Sequence, residues 1–208
     1  MFKTILSFLV ISFIFVINSN AQHWQFGVRA NLAYNDVIEV SDITAPSFDY
    51  VYYSEPRILG GLFGIAKRTL SNHFGLDLAL GLSIKGGKLI AIESKKYGTL
   101  YYAQFSPSLW FKPFKKKNIL LLAGLNTGYL AQAEIVSTDP VNHFDLAWTG
   151  SIEYRFQNIG IHVKYSKSTT AFVVEDFSAL RFPKFSYFNQ AFSLGGTFYF
   201  WNGAVGAE

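Results

Sequence analysis

The 208-residue chain contains no cysteine, and only 15% of its residues are charged. The absence of cysteine excludes disulfide bonds and thiolate metal ligands. Ordinary soluble domains carry about 25% charged residues, so this chain has too little charge to cover a surface that faces water on every side. By contrast, 50% of its residues are hydrophobic and 18% are aromatic. The composition therefore favours a fold whose outer surface is largely apolar.

Long hydrophobic runs are absent after the N-terminal region. That region holds one run, Ile5–Ile17, which follows a short basic start and is shorter than the ~20 residues that a membrane helix needs. Ser19 and Ala21 then occupy the two positions that signal peptidase recognises before its cleavage site. We therefore predict a cleaved signal peptide over residues 1–21 and a single domain over residues 22–208.

Apolar residues in the predicted domain alternate with small or polar ones. The clearest example is Phe74–Lys85, where phenylalanine, leucine or isoleucine occupies every second position. Such alternation is typical of a strand that lies between two different media. Pro107 has no N–H to donate within a strand, so we predict a β-bulge there. The eight predicted strands cover residues 24–34, 57–67, 74–85, 99–112, 119–130, 143–156, 159–168 and 189–201.

The connections between these strands are alternately long and short along the chain. Bacterial outer-membrane barrels have short periplasmic turns, longer extracellular loops and an even number of strands. About 9–11 residues of a tilted strand cross the bilayer. The alternation therefore predicts an all-β fold, an eight-stranded antiparallel up-and-down transmembrane β-barrel. We expect it to be integral to the bacterial outer membrane, in contact with outer-membrane lipid, with both termini in the periplasm.

The last predicted strand supports this interpretation. Phe192, Leu194, Phe198 and Phe200 share one face, while small or polar residues occupy the other. An amphipathic strand with an aromatic end resembles the C-terminal assembly signal of outer-membrane barrels. The sequence departs from that signal in one respect, because Trp201 and a short tail follow the terminal phenylalanine.

Four further stretches carry a family resemblance. They are the processing site Asn20–Gln22, the glycine-rich second strand, the end of the third strand at Ser83–Gly86, and the segment Tyr102–Leu109 in the fourth. Together they are similar to the PorT-like family of bacterial outer-membrane β-barrels. Some members of that family belong to envelope protein-secretion machinery, and the family has no catalytic residues to transfer. The resemblance implies a non-enzymatic role in anchoring, recognition or envelope assembly.

Charged residues on the polar face are expected to point into the barrel. A charge facing lipid at mid-bilayer costs ~2–4 kcal/mol, and side chains can fill the interior of an eight-stranded barrel. A tight turn at Gln157–Asn158 places Glu153 opposite His162, and we expect an ion pair or hydrogen bond between them. A narrow polar conduit or small ligand site is the alternative use of this interior. The predicted interior plug consists of Arg29, Asp77, Glu153, Arg155, His162 and Lys164.

The four histidines do not form a metal or catalytic pattern. His23, His73 and His143 lie at strand ends or in turns, and no two histidines have ligand spacing on one face. A Ser–His enzyme needs the two side chains in hydrogen-bond reach, but Ser166 lies about 13 Å along the strand from His162. We therefore expect no metal, no cofactor and no enzymatic activity. The net charge of +4 gives no reason to expect nucleic acid as a partner.

The first long connection, Asn35–Glu55, has an unusual composition. It holds five acidic residues, no basic residue and several tyrosines. Tyrosines supply contact area at a low entropy cost, so we predict an extracellular loop that binds an envelope protein; a merely solvated loop is the alternative. The predicted partner-binding residues are Asp36, Glu39, Asp42, Asp49, Tyr50, Tyr52, Tyr53 and Glu55.

Two other functions remain open from the sequence. An outer-membrane lipid-modifying enzyme would use a small barrel of the same size. A secreted lipocalin-like carrier also has eight antiparallel strands, but its interior should be apolar and its exterior polar.

Overall fold

The computed structural model describes residues 24–41, 53–91, 94–114, 118–135, 142–171, 173–176 and 184–202. The predicted signal peptide lies outside these ranges, as do the predicted loop residues Asp42, Asp49, Tyr50 and Tyr52. The described strands are β1 (Trp24–Ser41), β2 (Tyr53–Glu55), β3 (Arg57–Thr69), β4 (Phe74–Lys85), β5 (Lys88–Ala91), β6 (Ser94–Phe111), β7 (Ile119–Ile135), β8 (Phe144–Phe156), β9 (Ile159–Ser168), β10 (Val173–Asp176) and β11 (Lys184–Asn202).

Eight long strands form a closed antiparallel barrel. They pair in the order β1, β3, β4, β6, β7, β8, β9 and β11, and β11 pairs with β1 to complete the ring. The predicted eight-stranded up-and-down barrel is confirmed. The three short strands lengthen the sheet at one end, where β2 pairs with β5, β5 with β6, and β10 with β11. Across the described ranges, no helix is long and apolar enough to span a bilayer.

The two ends of the barrel differ in their connections. Short turns at Leu70–His73 and Gln157–Asn158 lie at one end, here called the short-turn end, together with the β6–β7 connection. Gln157 has a positive φ of 51°, the left-handed conformation that a two-residue hairpin turn requires. The longer connections lie at the opposite end, called the loop end. The predicted alternation of long and short connections therefore matches the structure.

Several strands continue past their predicted boundaries at the loop end. β1 remains paired with β11 as far as Ser41, which lies opposite Phe185. The prediction that Asn35–Ser41 belongs to a loop is therefore wrong. The hydrogen-bonded ladder continues where the apolar alternation stops, because outside an apolar medium neither face of a strand has to be apolar.

The predicted bulge at Pro107 is also wrong. Pro107 lies opposite Leu78 in an unshifted register with β4, and the register with β7 is the same on both sides of the proline. The register shift between β6 and β7 falls instead at Tyr101/Tyr102. The proline lies where the β6–β7 ladder has no paired residue. Its missing N–H therefore interrupts no hydrogen bond with β7, and no extra residue is inserted into the strand.

The barrel is inverted relative to a soluble protein. Its exterior is apolar along all eight long strands, whereas most buried side chains of the interior are polar. A continuous apolar exterior is unfavourable in water and suits a strand barrel in lipid. The exposed apolar residues include Val28, Leu32, Ile58, Leu62, Leu80, Leu82, Leu109, Leu125, Ile152, Ile161, Val163 and Leu194.

Aromatic rings border this apolar belt at both ends. At the loop end, the ring of Tyr165 lies 5.2 Å from that of Trp148 and 5.7 Å from that of Phe192. At the short-turn end, Phe26 stacks on Trp201 with ring centroids 5.3 Å apart. Strand β1 carries the belt from Phe26 to Tyr34, about 26 Å along the strand and roughly 20 Å across the membrane after allowing for tilt. These dimensions match a bilayer-spanning barrel.

A charge placed in the middle of this belt should destabilise the barrel. We expect Leu80→Arg, at a side chain that is 67% exposed on β4, to lower the free energy of unfolding by ~2–4 kcal/mol. Urea unfolding in phospholipid vesicles would measure the change. Leu70→Arg is the matched control, because Leu70 lies in a short turn at the end of the barrel. Equal effects of the two substitutions would contradict a membrane-facing belt.

Candidate functional site

Five strands bring polar side chains together inside the barrel near the short-turn end. The alternation of each strand turns these residues inward: Arg29 on β1, Lys67 on β3, Asp77 on β4, Glu153 on β8 and Tyr199 on β11. Arg29 donates to both carboxylate oxygens of Asp77, at 3.1 and 2.8 Å. Lys67 Nζ and the Tyr199 hydroxyl each donate to Glu153 Oε1 at 2.9 Å. We call these five residues the ion cluster.

The charges of the ion cluster are paired within the cluster. Arg29 also reaches Glu153 at 3.5 Å, and Lys67 lies 3.8 Å from Asp77, so each cation contacts both carboxylates. Two cations and two carboxylates therefore balance one another. Buried charges are tolerated when they are paired and hydrogen-bonded, and the removal of one partner leaves the other uncompensated. The cluster thus links β1, β3, β4 and β8 through charge and adds β11 through Tyr199.

A second polar group fills the half of the interior toward the loop end. Lys85 forms an ion pair with Asp145, and the Lys85 ammonium lies 5.2 Å from the centre of the Tyr102 ring. Ser83 donates to Gln104 at 2.7 Å, and Gln104 donates to Ser106 at 2.8 Å. Polar groups that satisfy one another in this way fill the lumen and hold the facing strands in place.

Glycines give the larger interior side chains the space that they need. A Cβ atom at Gly128 would lie 3.0 Å from the ring of Tyr102. A Cβ atom at Gly160 would lie 3.1 Å from the carboxylate of Glu153. Both contacts are tighter than an ordinary van der Waals approach, so the bulky side chains lie directly over bare backbone.

The predicted contact between Glu153 and His162 is not formed. The two residues are directly opposite, as the turn at Gln157–Asn158 predicts. However, the Glu153 carboxylate is bound by Lys67, Tyr199 and Arg29. Among the described residues, neither ring nitrogen of His162 has a hydrogen-bond partner. Charged donors from across the lumen form stronger bonds with a carboxylate than a neutral imidazole does, so the prediction is wrong.

The structure places the remaining plug residues at two levels of the barrel. Lys164 donates to Asn126 Oδ1 at 3.2 Å. Arg155 lies nearer the short-turn end, where its guanidinium is 4.1 Å from the centre of the Tyr199 ring and donates to Gln25. Arg29, Asp77 and Glu153 belong to the ion cluster described above.

Sequence reasoning missed Lys67 and Tyr199, two members of the ion cluster. Lys67 lies on the strand whose glycines obscure the distinction between its two faces. The short turn before Phe74 fixes the pairing of β3 with β4, and in that pairing Lys67 lies opposite Asp77. Because directly opposite residues share a face of the sheet, this count would have placed Lys67 on the inner face. Tyr199 stands on the polar face of the closing strand, but its aromatic ring gave no signal of a hydrogen-bonding role.

A pocket opens at the short-turn end, beside the ion cluster. Its volume is about 350 Å³, within the range of small-molecule sites. Of the described residues that line it, three are cationic and none is acidic. We call it the mouth pocket, and its lining residues are Gln25, Lys67, Thr69, Ser71, Asn72, Trp110, Lys112, Asn118, Leu120 and Arg155.

The predicted partner-binding loop is partly strand. Asp36 lies on β1 just beyond the apolar belt, where its carboxylate accepts a hydrogen bond from Gln190 at 3.1 Å. Glu39 is also on β1, and Tyr53 and Glu55 belong to β2. The binding of a partner by these residues stays a prediction. Within the described ranges, no group of three or more His, Cys, Asp or Glu side chains is placed to hold a metal ion.

No protein-family model matches this chain, and no curated protein sequence matches it. Three solved barrels are similar to it in topology. Ail, the attachment invasion locus protein of Yersinia pestis, has 13% identity and a TM-score of 0.45, over 86% of this chain and 99% of Ail. Neisserial surface protein A has 14% identity and a TM-score of 0.48, over 84% of this chain and 97% of that protein.

The outer membrane protein AlkL in lipid bilayers has 14% identity and a TM-score of 0.43, over 91% of this chain and 96% of AlkL. At these identities and scores, the likeness assigns neither a family nor a role to the chain.

Proposed function

We propose that the chain is an integral outer-membrane barrel that serves as a rigid scaffold for its exposed loop end, with a non-enzymatic role in anchoring, recognition or envelope assembly. The observation that carries the proposal is the inverted surface, apolar outside and polar inside. In lipid every backbone polar group needs an internal partner, and a closed strand barrel meets that requirement. Strand barrels of this kind are typical of bacterial outer membranes.

The filled interior supports a scaffold rather than a wide channel. Tyr102, Tyr199 and Leu100 have no exposed surface, and the ion cluster crosses the lumen between facing strands. Side chains that fill the barrel make it stiff. A stiff barrel can hold loops in a fixed arrangement, and binding residues are commonly found on loops that a rigid scaffold positions.

The loop end supports a recognition role. The sheet continues there beyond the apolar belt, through the pairing of β1 with β11 and through the added strands β2, β5 and β10. Strand pairing outside the membrane belt is not needed to cross the bilayer. It holds the residues that flank the acidic, tyrosine-rich segment in paired strands, and we assign the binding of a protein partner to that segment.

The orientation and the family belong to this proposal as well. Both ends of the barrel chain, near Trp24 and Asn202, lie at the short-turn end, which we assign to the periplasm because short turns face it in bacterial barrels. The resemblance to the PorT-like family suggests protein secretion as the process in which the partner takes part. Accessibility of a tag inserted into the β4–β6 connection to protease on whole cells would test the orientation.

The alternative functions have less support. A lipocalin-like carrier needs an apolar interior and a polar exterior, and this barrel has the reverse. A Ser–His enzyme needs an imidazole nitrogen hydrogen-bonded to its nucleophile, and His162 makes no such bond within the described part of the chain.

Replacing residues 42–52 by a short Gly/Ser linker should leave folding intact and abolish recovery of the partner from envelope extracts. The replacement spares β1 and β2, so the barrel keeps its paired strands. The measurement is a pull-down with the parent and the variant side by side, together with the heat-modifiable gel shift of a folded barrel. Asp42→Asn/Asp49→Asn should weaken binding and reduce its salt dependence, because exposed charges act over ~8–10 Å.

A matched variant with the same linker in place of residues 177–183 keeps the acidic segment and should retain the partner. Full recovery of the partner after the first replacement would contradict the assigned loop and point to the β10–β11 connection. Loss of the gel shift would show that the segment is structural.

A further inference from the structure

We propose that the outer face of the barrel binds a phosphorylated glycolipid at the level where the apolar belt ends toward the loops. The site, called the headgroup site, consists of Trp148 on β8, Tyr165 and Lys167 on β9, and Gln190 on β11. The inference rests on the proposed function only for the membrane location of the barrel, and it needs no protein partner at the loop end.

Strand pairing places the headgroup site at the border of the membrane. Tyr165 lies opposite Phe192, and these two aromatic side chains belong to the last row of the apolar belt. In the next row toward the loop end, Lys167 lies opposite Gln190 on one side and opposite Trp148 on the other. Aromatic rings of membrane barrels stand at the level of the lipid headgroups, so Lys167 is at headgroup level as well.

Lys167 supplies a cation for a lipid phosphate. Its side chain is exposed and shares the outer face of β9 with Val163 and Tyr165. Directly opposite residues of antiparallel strands have Cβ atoms about 4.5–5.5 Å apart, so Lys167 is flanked by the Trp148 ring and the Gln190 amide. A lysine ammonium is a common point-charge ligand of phosphate groups.

The Gln190 amide is held in place beside Lys167. The Tyr165 hydroxyl donates to Gln190 Oε1 at 3.4 Å, and Gln190 Nε2 donates to Asp36 at 3.1 Å. An amide has two N–H donors and two lone pairs on its oxygen, and these two bonds use one of each. The second donor and the second lone pair match a sugar hydroxyl, which both donates and accepts. A group fixed from two sides also loses little conformational freedom on binding.

Three aromatic rings form the membrane side of the headgroup site. The Tyr165 ring contacts those of Trp148 and Phe192, with centroids 5.2 and 5.7 Å away, and Trp148 and Phe192 are 44% and 57% exposed. Such rings offer an apolar surface to acyl chains and polar edges to a headgroup. Cation, amide and rings together match the phosphate, sugar and acyl chains of a phosphorylated glycolipid, whereas a glycerophospholipid lacks the sugar.

The position of the headgroup site favours a lipid over a soluble phosphate. Its residues lie on the outer face of their strands, next to exposed apolar side chains such as Val163 and Leu194. Acyl chains that contact this apolar surface hold the attached headgroup close to Lys167, which raises its effective concentration there. A soluble anion would have only the exposed polar contacts.

The full-length barrel in zwitterionic micelles allows a direct test with diphosphoryl lipid A as the probe. The chain has four tryptophans, and Trp148→Phe identifies the indole N–H resonance of Trp148 in a nitrogen-15 spectrum. We expect lipid A to shift that resonance in a saturable manner and phosphatidylglycerol to bind more weakly. Lys167→Gln should weaken lipid A binding about tenfold, equivalent to about 1.4 kcal/mol, and Gln190→Ala should weaken it by a smaller factor.

Lys112→Gln is the matched control, because Lys112 follows β6 at the short-turn end; it removes the same charge and should leave the affinity for lipid A unchanged. The proposal is overturned if lipid A leaves the Trp148 resonance in place, or if Lys167→Gln keeps full affinity with the gel shift of a folded barrel. Equal binding of phosphatidylglycerol would overturn the assignment to a glycolipid, and an equal shift with inorganic phosphate would overturn the assignment to a lipid. None of these outcomes bears on the partner of the loop end, which the pull-down tests separately.

Discussion

Glu153→Ala should destabilise the barrel more than any conservative change in its interior. The Glu153 carboxylate accepts hydrogen bonds from Lys67, Tyr199 and Arg29 and is fully buried. Its removal leaves the buried Lys67 with the more distant Asp77, at 3.8 Å, as its counterion and with the neutral Tyr199 hydroxyl at 3.2 Å. Loss of one partner of a buried ion pair costs about 3–5 kcal/mol. We expect a loss of that size in the free energy of unfolding, measured by urea denaturation in vesicles.

Two further substitutions show whether charge or shape causes the effect. Glu153→Gln keeps an acceptor for Lys67 and Tyr199 and should lose less stability than the alanine variant. Glu153→Leu/Lys67→Met removes the pair and retains its volume, so it should recover part of the loss. Ser151→Ala, at the neighbouring inward position of β8, is a control with little expected effect. If the alanine variant is as stable as the parent barrel, the ion cluster does not stabilise the barrel.

Deleting residues 198–208 should prevent the chain from forming a barrel at all. The deletion removes the strand segment that pairs with Gln25–Val28 and closes the ring. It also removes Tyr199, which donates to Glu153. Unpaired backbone groups at the open edge would face lipid, where each costs several kcal/mol. We expect no heat-modifiable band in outer-membrane fractions and degradation or aggregation of the chain.

Removal of residues 203–208 is the matched control, because β11 ends at Asn202, where it pairs with Gln25. That shorter deletion should yield the folded band at the level of the parent. A folded band after the longer deletion would show that the end of β11 is dispensable for closure.

The barrel could be predicted from the sequence because each strand lies between lipid and a polar interior. That constraint acts residue by residue, so the bounds of Phe74–Lys85 and Ile159–Ser168 and the pairing across Gln157–Asn158 follow from alternation and turn chemistry. The constraint weakens where the strands leave the apolar belt. For this reason the extension of β1 to Ser41 was missed, although its hydrogen-bonded ladder continues.

The contacts inside the barrel could not be predicted in the same way. Alternation shows that Arg29, Asp77 and Glu153 point inward, but not which of them meet. The contacts depend on the stagger of the strands along the barrel axis. They also depend on which side chains meet across the interior from strands that are not neighbours. Glu153 illustrates the limit, because its neighbour on the adjacent strand is His162 whereas its hydrogen bonds reach Lys67 and Tyr199.

Tyr102 fills the space that a side chain at Gly128 would need, and Glu153 fills the space that one at Gly160 would need. The two residues of each pair therefore have to share a fixed volume inside the barrel. Strand number and stagger fix the diameter of a barrel, so an added side-chain atom at one position has to be matched by a removed atom nearby. Residues in each pair should therefore change together in evolution, with a larger residue at position 128 accompanied by a smaller one at 102. Libraries that vary these positions in pairs should yield more folded barrels than libraries that vary them singly.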